Sequence, residues 1–268
     1  MGTRDASDIK KFVRERYAEI ARQQTPSCCA PRSEEATTCC SPGAQETSYA
    51  RRLYSREELE SISVNIPSLG CGNPAAVAEL KAGEVVLDLG SGGGIDCFLA
   101  AQKVGPEGRV IGLDMTAEMI RLARENAEKL SLDNVEFRLG EMEHMPIEAS
   151  SVDVVISNCV INLSPDKDAV FQEAFRVLKP GGRMCVSDIV TQGELTAEVR
   201  ESLEQWAACV AGALGERVYL EKIRAAGFVE VSLEGKNPPF CAEATTSGIE
   251  AAKGEGIANI TVTAYKPK

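Results

Sequence analysis

The sequence predicts a doubly wound α/β fold: a seven-stranded, mostly parallel sheet, helices on both faces and an antiparallel last strand. Three observations carry that expectation. Short runs that are almost wholly apolar alternate with helical patterns through the middle of the chain, as strands covered on both faces require. The first run passes directly into a glycine-rich turn, Gly90-Ser91-Gly92-Gly93-Gly94, and a helical pattern follows. Near the C-terminus, 228–233 and 259–265 alternate apolar with polar, as an antiparallel pair does.

Taken in order, 8–24 carries apolar residues at helical spacing (Ile9, Phe12, Val13, Tyr17, Ile20), with Asp5 or Ser7 available as a cap. Residues 25–48 lack periodicity and are rich in Pro, Ser, Thr and Glu, which predicts a mobile loop. That loop carries two cysteine pairs, Cys28-Cys29 and Cys39-Cys40. Accessible thiols oxidise readily, so four of them favour thiol chemistry over a bland linker. Ser55 with Glu58 forms a capping-box pattern for a short helix over 55–62. Cys71 follows in Leu69-Gly70-Cys71-Gly72-Asn73-Pro74, an open turn in which it is expected to be accessible. A helix is expected over 75–80.

Strands are then expected at 85–89, 109–113, 135–139, 152–157 and 183–189, with helices from Ile95 and at 117–130 and 168–178 between them. Thr116 is placed to cap the second of these helices. Thr196 is expected to cap one long helix whose apolar positions are Val199, Leu203, Trp206, Val210 and Leu214, and a further helix is expected over 218–225. The organisation falls into three segments. Residues 1–66 hold the N-terminal helix and cysteine-rich segment, 67–192 the ligand-binding core, and 193–268 the helices and two strands that complete the sheet.

Composition narrows the function. The chain has 268 residues, is 44% hydrophobic and carries a net charge of −11. So acidic a surface repels phosphate backbones, which argues against nucleic acid as a partner. No apolar run approaches the ~20 residues of a membrane span, and the N-terminus lacks a signal-peptide core. A soluble cytoplasmic protein is expected. Ten cysteines in such a chain point to metal, metalloid or redox chemistry before structural disulfides.

In an open α/β sheet, ligands bind outside the carboxyl ends of the strands. The residues there are Gly90 to Gly94, Asp114-Met115, Glu141-Met142 and Asn158-Cys159, with Asp88 just before the glycine loop. Asp114 lies about 20 residues beyond the loop, where an acidic side chain can accept both hydroxyls of a ribose. No Gly-Lys-Ser/Thr follows the loop, so a P-loop is excluded.

The form Asp88-Leu89-Gly90-Ser91-Gly92-Gly93-Gly94 resembles the cofactor loop of class I methyltransferases, whose fold is Rossmann-like. That resemblance implies S-adenosylmethionine as cofactor, with Gly90, Ser91, Gly92 and Gly94 against its methionine moiety and Asp88 and Asn158 also among the cofactor-binding residues. Asp114 would hold the ribose, Met115 would cover the adenine face, and Glu141 and Met142 would lie at the adenine edge. Cys159 then stands where the transferred methyl emerges.

Cys71 in G-C-G-N-P, Cys159 in S-N-C-V-I-N-L and Cys209 in W-A-A-C-V resemble the three cysteines of arsenite methyltransferases. The resemblance covers most of 53–215. It implies that these three thiolates hold As(III), and that an N-terminal cysteine, here Cys39 or Cys40, pairs with Cys71 in redox turnover. Arsenite and methylarsenite would be the substrates, with thioredoxin or another dithiol as the reductant.

The chemistry agrees. As(III) is soft and suits thiolate ligands, and its lone pair needs no general base. The single histidine, His144, is expected at the surface, and Cys97 and Cys185 as buried structural thiols; Cys241 is left open. Two other functions remain. A carbon methyltransferase acting on a quinone precursor would leave the cysteines unexplained. A thiol-rich metal-sequestering protein would leave the cofactor loop unexplained.

Overall fold

The computed structural model describes residues 5–24, 53–62, 66, 70–237 and 257–268. Cys28, Cys29, Cys39, Cys40 and Cys241 lie outside the described residues. Strands β1 (Val85–Leu89), β2 (Arg109–Asp114), β3 (Val135–Leu139), β4 (Val152–Asn158) and β5 (Leu178–Thr191) are parallel. The two-residue β6 (Leu214–Gly215) pairs parallel with the end of β5, an eighth strand beyond the expected seven. β7 (Val229–Asn237) and β8 (Ile257–Tyr265) complete the order β3-β2-β1-β4-β5-β8-β7. β8 is antiparallel to both its neighbours, β5 and β7.

The order reverses between β1 and β4, and a ligand crevice forms at such a switch point. Alternation along β1 sets the two cores. Leu87 and Leu89 face a cluster shared with Phe171 and Tyr219, from helices α6 (Lys167–Val177) and α9 (Glu216–Ala225). Val86 faces the opposite cluster, with Phe98 and Ile120 from α4 (Ile95–Val104) and α5 (Ala117–Leu130). Two short helices, α2 (Arg56–Ser61) and α3 (Pro74–Val77), cap that side. The predicted Ser55–Glu58 capping box is present, with both reciprocal hydrogen bonds. Thr116 stands at the cap of α5, but its side chain makes no cap bond; Asp114 Oδ1 accepts from its amide instead, at 2.8 Å.

The N-terminal helix, α1 (Ala6–Gln24), buries Ile9 and Val13 against the cysteines described below. Burial of each such side chain is worth about 1.5–3 kcal/mol.

The long helix expected after Thr196 is broken. α7 (Ala197–Glu201) ends where the Ser202 hydroxyl accepts from the Gln205 amide at 3.2 Å and so starts α8 (Leu203–Ala207). Beyond Ala207 the chain turns, because Gly212 must pass against the Asn162 carbonyl and the Trp206 ring. A Cβ there would meet them at 2.0 and 2.5 Å.

Candidate active site

The carboxyl ends of β1, β2 and β4 open onto a cleft. Gly90 has φ +69°, and the amides of Gly90 and Ser91 both donate to the Leu113 carbonyl, at 2.7 and 3.0 Å. Gly92 has φ +52°, and a Cβ built on it would meet nothing within 4 Å, which leaves its backbone open to a ligand. The Gly92 amide donates to Asp114 Oδ2 at 3.0 Å. The Ser91 hydroxyl is buried beside the cleft and has no hydrogen-bond partner among the described residues. An open glycine backbone, an orphaned hydroxyl and a strand-end carboxylate fit the nucleoside and amino-acid ends of S-adenosylmethionine.

Gly90, Ser91, Gly92, Asp114, Met115, Met142 and Asn158 line this cleft, together with Cys159. Burial raises the Asp114 carboxyl above its ordinary range. Gly94 instead serves packing: a Cβ on it would strike the Phe98 ring at 2.5 Å. Asp88 lies beneath the loop, 2% exposed, where it accepts from the Cys97 thiol at 3.2 Å. Glu141 is held by Lys10 at 2.8 Å and Arg14 at 3.0 Å, both on α1. The Lys10 hydrogen bond keeps its carboxyl below the usual range.

The structure brings the three sequence-predicted cysteines together. Cys71 and Cys159 form a disulfide with Cα atoms 5.7 Å apart. The Cys209 thiol is not part of that bond and donates to the Cys159 carbonyl at 2.7 Å. Cys71, expected to be accessible, is 2% exposed. Asn259 of β8 closes over it, donating to the Cys71 carbonyl at 3.1 Å. The disulfide partner differs from the expected Cys39 or Cys40, which lie outside the described residues. Cys159 has φ +61° and Cys209 φ +62°, in the left-handed region. Met115, Tyr17, Leu203 and Trp206 pack against this group and give it an apolar wall. Cys97 and Cys185 are buried thiols away from the group, as expected; burial pushes Cys185 up to about 11. His144 is exposed.

Sequence reasoning missed three contributors. Tyr54 and Asp96 line the cleft, and the Tyr54 hydroxyl donates to Asp96 at 3.2 Å. Burial raises the Asp96 carboxyl to about 6. Helix α1 roofs the cleft through Lys10, Val13 and Tyr17, and the Tyr17 hydroxyl donates to the Ala207 carbonyl at 3.3 Å. Lys167 lies behind Trp206, its ammonium 5.5 Å from the ring and bonded to the Ser164 carbonyl at 2.8 Å; burial lowers it to about 8. The apolar stripe of α1 was the one available signal. The others depend on contacts distant in the chain.

A family model described as a methyltransferase domain matches residues 80–230. The arsenite methyltransferase of Halobacterium salinarum is 43% identical over 270 residues, a match that spans 98% of this chain and 68% of that protein. The arsenite methyltransferase of Aquipseudomonas alcaligenes is 43% identical over 176 residues, 63% of this chain and half of that protein. Among solved structures, the arsenic(III) S-adenosylmethionine methyltransferase of Chlamydomonas reinhardtii superposes with a TM-score of 0.61 at 31% identity. That match covers 85% of this chain and 75% of the other.

Proposed function

The chain belongs to the arsenite methyltransferase family, and from that membership we propose that it methylates trivalent arsenic held by Cys71, Cys159 and Cys209. The observation that carries this reading is the clustering of Cys71 and Cys209 about Cys159, which itself lines the cofactor cleft. S-adenosylmethionine, against Gly90 to Gly92 and Asp114, supplies a methyl group on a cationic sulfur.

Thiolates of the three cysteines suit As(III) because both partners are soft. Coordination by sulfur leaves the arsenic lone pair available for the methyl carbon, so no general base is required. His144, exposed on its loop, is not needed. The wall of Met115, Tyr17, Leu203 and Trp206 excludes water and suits a substrate that grows more apolar with each methyl.

Each transfer leaves arsenic formally two electrons short of As(III). Two thiolates can return those electrons by forming one disulfide, and Cys71 with Cys159 is a pair close enough to do so. A cytosolic dithiol such as thioredoxin would then reduce that bond, itself becoming a disulfide, and free both ligands. Cys39 or Cys40 would relay electrons to Cys71 in the same way.

The decisive experiment is turnover of arsenite with methyl-labelled S-adenosylmethionine and a dithiol, followed by speciation of the products. Labelled methylarsenicals are expected. Consumption of the cofactor without arsenic dependence would overturn the reading.

A further inference from the structure

One carboxamide joins the cofactor cleft to the cysteine group. Asn158 Oδ1 accepts from the amides of Cys71 at 2.9 Å and Gly72 at 3.1 Å. Its Nδ2 donates to the Gly72 carbonyl at 2.8 Å, to Asp96 Oδ2 at 3.0 Å and, at 3.3 Å, to the Tyr54 hydroxyl oxygen. Gly70 comes so close that a Cβ on it would lie 2.3 Å from Asn158 Nδ2. The turn that carries Cys71 is thus gripped at three successive residues by one side chain on β4.

On its other side that side chain rests on Asp96, a carboxylate whose hydrogen-bond partners are the neutral Tyr54 hydroxyl and the Asn158 amide. Asp96 lines the same cleft as Asp114. With the ribose at Asp114, the amino-acid end of the cofactor, which carries an α-ammonium, would reach toward Asp96. A buried carboxylate held by neutral donors is the group that such an ammonium would pair with. Burial raises its pKa, so a cation brought against it would be favoured.

We propose that Asn158 is a positioning residue that couples occupancy of the cofactor cleft, sensed at Asp96, to the placement of Cys71 for arsenic binding. This rests on the arsenic reading above. Pairing of the α-ammonium with Asp96 fixes the carboxylate, which fixes the Asn158 amide, which fixes the Cys71 turn. Cofactor and arsenite then bind with positive coupling, and the coupling is reciprocal.

The test uses the full chain, reduced with a phosphine so that no competing dithiol is present. Trp206 is the only tryptophan and packs on the cysteine group, so its fluorescence reports arsenite binding. Arsenite affinity is measured alone and with saturating S-adenosylhomocysteine. In the wild type the second value is expected to be tighter by at least about fivefold, within the usual range of coupling between sites. Calorimetry should show the same factor for S-adenosylhomocysteine when arsenite is present.

The analogue that lacks only the α-amino group should bind yet give a ratio near one. Asp96→Asn keeps the shape and an acceptor for Tyr54, and its ratio should fall to near one at saturating ligand. Asn158→Ala should do the same, its ratio being read at saturating S-adenosylhomocysteine whatever its affinity for that ligand. A wild-type ratio near one, or an unchanged ratio in Asp96→Asn, would overturn the coupling. Absence of any arsenite response in the wild type, with S-adenosylhomocysteine still binding, would instead remove the arsenic reading.

Discussion

The Cys209 thiol donates to the main-chain carbonyl of Cys159 at 2.7 Å, so one proposed arsenic ligand is oriented by the backbone of another. The relationship holds Cys209 beside the Cys71–Cys159 bond without being part of it, which makes the roles of the three cysteines separable.

Cys159→Ser and Cys209→Ser should each abolish methylation of arsenite and of monomethylarsenite. Serine keeps the size but replaces a soft ligand with a hard neutral one. Monomethylarsenite already carries one carbon substituent and needs only two thiols. Cys71→Ser should therefore lose the first methylation and retain part of the second. Initial rates on each substrate at a fixed dithiol supply check this. Equal loss on both for Cys71→Ser would place that residue in the fold or the cofactor site instead.

The disulfide sequesters two of the three ligands. Protein with the Cys71–Cys159 bond intact should give no arsenite-dependent change in Trp206 fluorescence, and phosphine reduction should restore it. Thiol titration before and after reduction should rise by the two sulfurs of that bond. A full arsenite response from protein in which mass spectrometry finds the bond intact would contradict the assignment.

Asp114 holds the Gly92 amide with one oxygen and the Thr116 amide with the other, and still has lone pairs for ribose hydroxyls. Asp114→Ala should weaken S-adenosylmethionine binding by about 1.5–3 kcal/mol, the scale of hydrogen bonds to a charged group. Calorimetric affinity equal to wild type would remove Asp114 from the site.

The raised carboxyl of Asp96 sets a sign for pH dependence. Its folded value of about 6 lies above the ordinary aspartate value of 3.8, so the folded state keeps a proton that the unfolded chain releases between those values. Stability of the ligand-free protein from this group is full at low pH and declines as pH rises through that window, then levels off. The total is of order 3 kcal/mol at most, at about 1.4 kcal/mol per unit. Thermal melts of Asp96→Asn should therefore be flatter than wild type between about pH 4 and pH 6, with the variant relatively more stable at pH 8. Parallel curves for the two proteins would show that burial does not raise this group.

What the sequence made legible was local. Val85 to Leu89, the glycine loop and the Ser55–Glu58 box are each decided within a few residues, by apolar runs, turn conformation or a reciprocal cap. The break after Glu201 was not, because the apolar period runs through it; only the Ser202 cap and the squeeze of Gly212 against Asn162 reveal it. The cofactor and cysteine motifs were legible as residue types. Their closure was not. Cys71 lies in an open-looking turn, and its burial depends on Asn259, 188 positions away. Asp96 reads as the polar face of a helix until Tyr54 and Asn158 are brought onto it.

The left-handed backbone at Cys159 and Cys209 has a consequence for how the two positions can drift. A side chain in that region costs on the order of 1–3 kcal/mol, and glycine alone escapes it. Glycine at either seat would be tolerated by the backbone and would relieve that penalty, while leaving a vacancy in the set of sulfurs. At these two residues the backbone and the side chain pull in opposite directions: the backbone conformation favours glycine, while the buried cluster, the Cys71–Cys159 bond and the set of sulfurs all favour cysteine. The strain is therefore a standing cost that the rest of the site holds in place.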